Sequence, residues 1–352
     1  MRVRERRGAR RLAGRAAFIA VLGVAVSGCP TPVGPPSASH SVNPCTTGAG
    51  ISCDTLQTHI ATPPTATSKQ RLVLFFNGSG AQPLGYSKLL GGLSGAGYHT
   101  IGVRYASGTG TGAACPLGNA GLDPDCHRPF RAETVFGEDV PDPTSAAYDS
   151  PTVSVDAANS VVNRVLQLVE HLRTAFPTEN WGQFQQRSGA TCTSVDPTYG
   201  ACDLDWSKVV LMGHSLGAGV ALYISKFHDV ATVGMISGPF DEYDDGSTIT
   251  VAPWITEGGF ATPAADMYGL SHVGENNHAA QSAAWNALGM AGPQVSVDSG
   301  SAPWGGSHQL TTAGQPACFT DAVPKHNSTA QDLCTPGSPP SLTGAWVTLA
   351  GG

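Results

Sequence analysis

The chain has 352 residues, of which 41% are hydrophobic and 13% charged, with a formal net charge of −7. This length suits one large α/β domain or two ordinary ones, and the apolar fraction suffices for a sizeable core. No basic block follows residue 16, which argues against nucleic acid as a partner.

The first 29 residues read as a targeting segment rather than as part of the fold. Arginines crowd residues 2–15, and residues 16–26 form an apolar run too short for an ordinary transmembrane helix. Val26-Ser27-Gly28-Cys29 follows. It resembles the lipobox of bacterial lipoproteins, which implies that Cys29 is lipidated, becomes the new N-terminus and holds the protein to a membrane. Ordinary secretion with cleavage near Gly28 is the alternative. Residues 30–43, rich in Pro and Ser, suit a flexible tether, which leaves 44–352 as a single domain. Setting Cys29 aside, eight of the nine cysteines remain, in four couples close in sequence: 45–53, 115–126, 192–202 and 318–334. An even set in an exported chain favours disulfides, and proximity suggests these pairings. The absence of any C-x-x-C argues against a zinc ribbon or a thioredoxin-type redox site.

Along the chain, the apolar run 71–76 predicts a buried strand ending in the tight turn Asn77-Gly78-Ser79-Gly80. A short helix is expected over 86–94 and a strand over 99–105. Residues 106–150, with many Gly, Pro and Asp, read as a long excursion within the domain. Val161, Val165, Leu168 and Leu172 recur at helical spacing, so a helix is expected over 156–176, closed by Pro177. The run 208–212 predicts a strand and 216–228 a helix. Strands are then expected over 231–236 and 267–270, a helix over 279–288, a last strand over 309–312 and a final helix near 344–349. Strands alternating with helices predict an α/β fold with a mostly parallel sheet covered on both faces.

Between the strand at 208–212 and its helix lies Gly213-His214-Ser215-Leu216-Gly217. In a chain with 44 glycines the pentapeptide alone is weak. Placed between a strand and a helix, it lifts Ser215 out of the sheet edge, because small residues two places to either side let the backbone bend tightly. A serine hydroxyl needs a base to take its proton and an acid to orient that base. On these residues the chain resembles the α/β-hydrolase superfamily, from about residue 71 to the C-terminus. More narrowly it is similar to a poorly characterised branch of secreted bacterial serine hydrolases. The matching stretches are Asn159-Ser160-Val161-Val162-Asn163-Arg164, Asn180-Trp181-Gly182-Gln183-Phe184, Asp205-Trp206-Ser207-Lys208, Ala252-Pro253-Trp254, Tyr268-Gly269-Leu270-Ser271-His272, Gly305-Gly306-Ser307-His308 and Lys325-His326-Asn327-Ser328.

The resemblance implies an α/β-hydrolase fold and the catalytic set Ser215, Glu275 and His326. The acid falls three residues after His272 and the base in a short His-x-Ser turn, although the branch usually shows Asp where this chain has Glu275. His308 is the rival base and Asp241 the rival acid. His214 is expected to pack beside the nucleophile, and His272 to be a structural residue at a strand end. The backbone amides of Leu216 and Ser79 are the expected oxyanion donors. Together these residues imply a serine hydrolase cleaving a small-molecule ester through an acyl-enzyme, with no metal and no organic cofactor. A non-catalytic lipid-anchored binding protein on the same fold, or an amidase or peptidase using the same triad, are the alternatives. Substrate specificity is expected in residues 106–150 and 242–262, while the oligomeric state has no signature in the sequence.

Overall fold

The structure is a computed structural model that describes residues 39–54, 56–117, 123–144, 146–337 and 342–352. The expected signal segment, with Cys29, lies outside them. Thirteen strands follow in chain order: β1 His40–Val42, β2 His59–Thr62, β3 Leu72–Phe76, β4 His99–Val103, β5 Arg187–Ser188, β6 Thr191–Cys192, β7 Val209–His214, β8 Thr232–Ile236, β9 Glu242–Asp244, β10 Ile249–Val251, β11 Met267–His272, β12 Val295–Ser296 and β13 Gln309–Thr312. The α-helices are α1 Ser87–Gly95, α2 Thr111–Ala114, α3 His127–Phe136, α4 Val161–Ala175, α5 Leu216–Ser225, α6 Pro253–Thr256, α7 His278–Ala287, α8 Pro324–Asn327 and α9 Thr343–Leu349.

Nine strands form one sheet in the order β1-β2-β4-β3-β7-β8-β11-β13-β12. β2 runs antiparallel to both neighbours, and every other pairing is parallel. An order of 1-2-4-3 followed by successive strands, with the second reversed, is that of the α/β-hydrolase fold. Side-chain alternation divides the apolar residues between two cores. Leu72, Leu74 and Phe76 of β3, with Val209 and Leu211 of β7, face the side covered by α3, α4 and α5. Val73 and Phe75, with Val210 and Met212, face the side covered by α1 and α9. Both faces are therefore dry, which is why these strands read as unbroken apolar runs. In α5 all ten residues are buried, so it has no polar face.

The expected strands and helices between 71 and 349 are all present within a few residues. The helix expected over 156–176 is divided: Asp156 caps a 3₁₀ turn, and Ser160 then caps α4 by accepting from the amide of Asn163. Four differences stand out. Of the stretch expected as a tether, 30–43, residues 30–38 lie outside the described residues and His40–Val42 is β1, paired to β2. β2 itself was not expected. Residues 106–150 are not an unstructured excursion, since they contain α2 and α3. Two small hairpins, β5–β6 and β9–β10, also lie outside the main sheet.

The cysteines pair as proximity suggested: Cys45–Cys53, Cys115–Cys126, Cys192–Cys202 and Cys318–Cys334. The last bridge encloses the segment that follows β13 and carries α8. Within it, Asp321 accepts from Val323 N at 2.7 Å and, through its two carboxylate oxygens, from Asn327 Nδ2 at 3.0 and 3.1 Å. A bridge with a sequence separation of 16 contributes about 3 kcal/mol in the chain-entropy account. Replacing both Cys318 and Cys334 by serine is expected to lower stability by about that amount, read as a lower midpoint in thermal melts. An unchanged midpoint would show that α8 is held without the bridge.

Candidate active site

Ser215 sits between the last residue of β7 and the first of α5, with φ 57° and ψ −119°. A non-glycine residue with positive φ is strained, at a cost of about 1–3 kcal/mol. Its amide is held by Ile236 O at 2.8 Å. The flanking glycines are required by contact rather than by flexibility. A Cβ on Gly213 would lie 2.0 Å from Gly217 O, and one on Gly217 would lie 2.0 Å from Phe76 O. The turn is thus pressed directly against the end of β3.

His326 lies in α8, after β13, and its Nδ1 is 2.5 Å from Glu275 Oε2. The carboxylate beside Nδ1 selects the Nδ1–H tautomer, which leaves the Nε2 lone pair free to act as a base. Glu275 follows β11 and is itself held on several sides. Ser237 Oγ donates to Oε1 at 2.7 Å, and Gln281 Nε2 donates to Oε2 at 3.0 Å. Burial raises the pKa of Glu275, but the hydrogen bond and charge of His326, with those from Ser237 and Gln281, outweigh it and keep the carboxyl below its ordinary value. The carboxylate is therefore ionised. The backbone carbonyl of His326 accepts from Thr329 Oγ1 at 2.9 Å and from His214 Nε2 at 3.2 Å. Neither Ser215 Oγ nor His326 Nε2 has a hydrogen bond among the described residues. Such catalytic contacts are commonly long before a ligand arrives.

His214 is buried, and burial followed by the nearby His326 pushes its pKa down to about 3. It is therefore a neutral spacer. Nε2–H donates to His326 O, so Nδ1 is the acceptor, 3.1 Å from the Tyr86 hydroxyl. Tyr86 in turn accepts from the Gly78 amide at 3.1 Å. One continuous chain of hydrogen bonds thus joins the turn after β3 to the loop that carries His326.

That turn is braced from a second direction. Asn77 Nδ2 donates to Gly78 O and Ala81 O, both at 2.9 Å, the Tyr105 hydroxyl donates to Asn77 O at 2.6 Å, and Gly80 N donates to Ser107 O at 2.8 Å. A Cβ on Gly78 would lie 3.2 Å from Ser215 Cβ, so the turn abuts the nucleophile. The Ser79 amide has no hydrogen bond among the described residues. The Leu216 amide opens α5, where no preceding helical carbonyl can reach it.

The two rivals are placed elsewhere. His308 precedes β13, at the opposite edge of the sheet from Ser215. Its Nδ1 is 3.0 Å from Met267 O, and its ring stacks on Tyr268. Asp241 is fully buried and binds Arg131 through two contacts, of 2.9 and 2.6 Å, and Trp254 Nε1 at 3.1 Å. Burial raises its pKa, yet the Arg131 charge and then His127 outweigh this and hold it below its ordinary value. Arg131 Nη1 also donates to Leu216 O at 2.9 Å. A Cβ on Gly219 would lie 2.2 Å from Arg131 Nη2, so that glycine admits the guanidinium. α3 is thereby clamped to the first turn of α5. His272 ends β11 as expected of a structural residue: its Nδ1 accepts from Gly274 N at 2.9 Å, and its Nε2 is 3.1 Å from Gly314 O.

Sequence reasoning did not find Arg131, Ser237, Gln281 or Tyr86. Gln281 alone had a local signal, lying six residues after Glu275 on a predicted helix. Cys318, Asp321 and Cys334 bring potential metal ligands together, but both thiols are joined in a disulfide and offer no thiolate.

No protein-family model and no curated protein matches the sequence. Among solved structures, esterase B from Lactobacillus rhamnosis, inhibited by a tributyrin phosphonate, is 11% identical with a TM-score of 0.39, covering 79% of this chain and 76% of that one. An esterase from the Planctomycetes species Thermogutta terrifontis is 10% identical with a TM-score of 0.35, covering 79% and 82%. The fold assignment rests on the strand order itself.

Asp241→Asn leaves Arg131 buried without a counter-charge, which typically costs about 3–5 kcal/mol. The folded pKa of Asp241 lies below its ordinary 3.8, so its stabilisation is fully present above that pH and is lost as pH falls through the lower folded value. Denaturant melts should therefore show a large deficit for Asp241→Asn at pH 7 that narrows as the solution becomes strongly acidic. A deficit independent of pH would mean that the ionic pair is not its source.

Proposed function

We propose that this chain is a serine hydrolase that cleaves carboxylic esters through an acyl-enzyme on Ser215. The observation that carries the reading is the Glu275–His326 contact of 2.5 Å set beside a serine on a strained strand-to-helix turn. His326 Nε2 removes the Ser215 proton as Oγ attacks the carbonyl carbon. Ionised Glu275 stabilises the resulting imidazolium. The oxyanion forms against the amides of Ser79 and Leu216, each worth about 3 kcal/mol to the transition state. As the acyl C–O bond breaks, the alcohol oxygen leaves with the bonding pair and takes the proton from His326. Water, activated by the same histidine, then attacks the acyl-enzyme and releases the acid. No metal or organic cofactor enters any of these steps.

Ser215→Ala is expected to abolish both turnover of chromogenic esters and covalent labelling by a fluorophosphonate. His326→Ala and Glu275→Gln should each lower kcat/KM by a factor on the order of 10³–10⁴, with His308→Ala close to wild type. Labelling of Ser215 without turnover of any ester, but with cleavage of amides, would move the reading to an amidase. No labelling at all would leave a binding protein on this fold.

We further propose export with lipid attachment at Cys29. Support comes from the lipobox-like residues 26–29, from four disulfides, which persist in oxidising compartments, and from the absence, among the described residues, of any helix long and apolar enough to cross a membrane. Cys29→Ser should shift the protein from the membrane fraction to the soluble one without altering esterase activity, since each lipid CH₂ contributes about 0.8 kcal/mol of membrane affinity. Mass spectrometry that finds no lipid on Cys29 of the wild type would reject the anchor.

A further inference from the structure

A cleft of about 420 Å³ opens beside the Glu275–His326 pair, between the loop after β11 and the start of α8. Gly274, Asn276 and Asn277 line one wall, and Ala322, Val323 and Pro324 the other. Lys325 also lines it and is exposed. A Cβ placed on Gly274 would lie 3.2 Å from Lys325 Cδ and 2.8 Å from its Nζ. The lysine stem therefore crosses from α8 onto the opposite wall and carries its ammonium there.

The chain contains five lysines, and the other four are engaged. Lys69 Nζ reaches the Tyr98 hydroxyl and Lys88 Nζ reaches Asp332 O, while Lys208 and Lys226 form ion pairs with Asp205 and Glu257. Every arginine among the described residues also has a hydrogen-bonded partner. Lys325 is the only lysine or arginine of the described residues whose side chain makes no hydrogen bond or ion pair. The one carboxylate in the cleft, Glu275, is already held by His326, Ser237 and Gln281. The Glu275 carboxylate is buried, whereas the Lys325 ammonium stands exposed with no ion pair of its own, and the side-chain amides of Asn276 and Asn277 have no hydrogen bond among the described residues.

We propose that this cleft receives the alcohol half of an ester that bears a carboxylate, and that Lys325 selects it. The proposal rests on the hydrolase reading above and names its substrate class. His326 must hand its proton to the departing alcohol oxygen, so a cleft lined by His326 lies where that half of the substrate leaves. One ammonium flanked by two neutral amides matches a single negative charge on a planar two-oxygen group. The apolar wall of Ala322, Val323 and Pro324 suits the hydrocarbon between the carboxylate and the ester oxygen.

The test compares meta-carboxyphenyl butanoate with its neutral twin, meta-carbamoylphenyl butanoate, on the full chain. An exposed charge pair of this kind supports a preference of about fivefold in kcat/KM for the carboxylate ester in the wild type. The quotient should fall to about one in Lys325→Met, invert in Lys325→Glu, survive in Lys325→Arg and shrink with added salt. A quotient that is the same in wild type, Lys325→Met and Lys325→Glu overturns the assignment. If neither ester is turned over while a fluorophosphonate still labels Ser215, the substrate class is wrong. If Ser215 is not labelled either, the hydrolase reading itself has failed.

Discussion

The close approach of two backbones, those of the turn at Ser215 and the end of β3, is the constraint on which the site depends. Gly217 packs against the carbonyl of Phe76, and Gly213 packs against Gly217. With no side chain at either position, Ser215 is forced to positive φ and held above the sheet edge. The same approach brings the turn after β3 against Ser215, so the two candidate oxyanion donors arrive from elements that are already in contact. A methyl group at either glycine would separate the serine from both.

Around that contact the protein uses polar groups to fix polar groups. The His326 carbonyl is held by Thr329 and His214, and the Glu275 carboxylate by Ser237 and Gln281. Each of these partners restricts the orientation of the Glu275–His326 pair. Preorganisation of this kind spares the site from reorganising as charge develops.

Much of this was legible in the sequence, and for physical reasons. The central strands are buried on both faces, so they appear as unbroken apolar runs, and the glycines at 213 and 217 mark the tight turn. The Glu275–His326 pair was singled out through a resemblance, not through local pattern. β1 and β2 escaped notice because each is only three or four residues long, and β1 begins in a Pro- and Ser-rich stretch. α3 escaped notice because it lies in a stretch, 106–150, whose Gly, Pro and Asp content reads as a long excursion, and because it carries the charged Arg131 and Glu133. Both are buried: Arg131 against Asp241, and Glu133 accepting the amides of Ser150 and Val155. Pairings between residues 51 and 110 positions apart, Glu275 with His326 and Arg131 with Asp241, leave no local signature.

Because Asp241 is committed to Arg131, the carboxylate that meets His326 is difficult to move from position 275 to position 241. A carboxylate after β8 would otherwise be a natural substitute for one after β11. To free it, a descendant must first lose Arg131, which strips Leu216 O of its donor and leaves Gly219 facing a void. To lose Asp241 instead is to bury a lone guanidinium beneath the nucleophile. Each single step passes through a damaged protein, so the two carboxylates are kept in separate employments, Asp241 on Arg131 and Glu275 on His326.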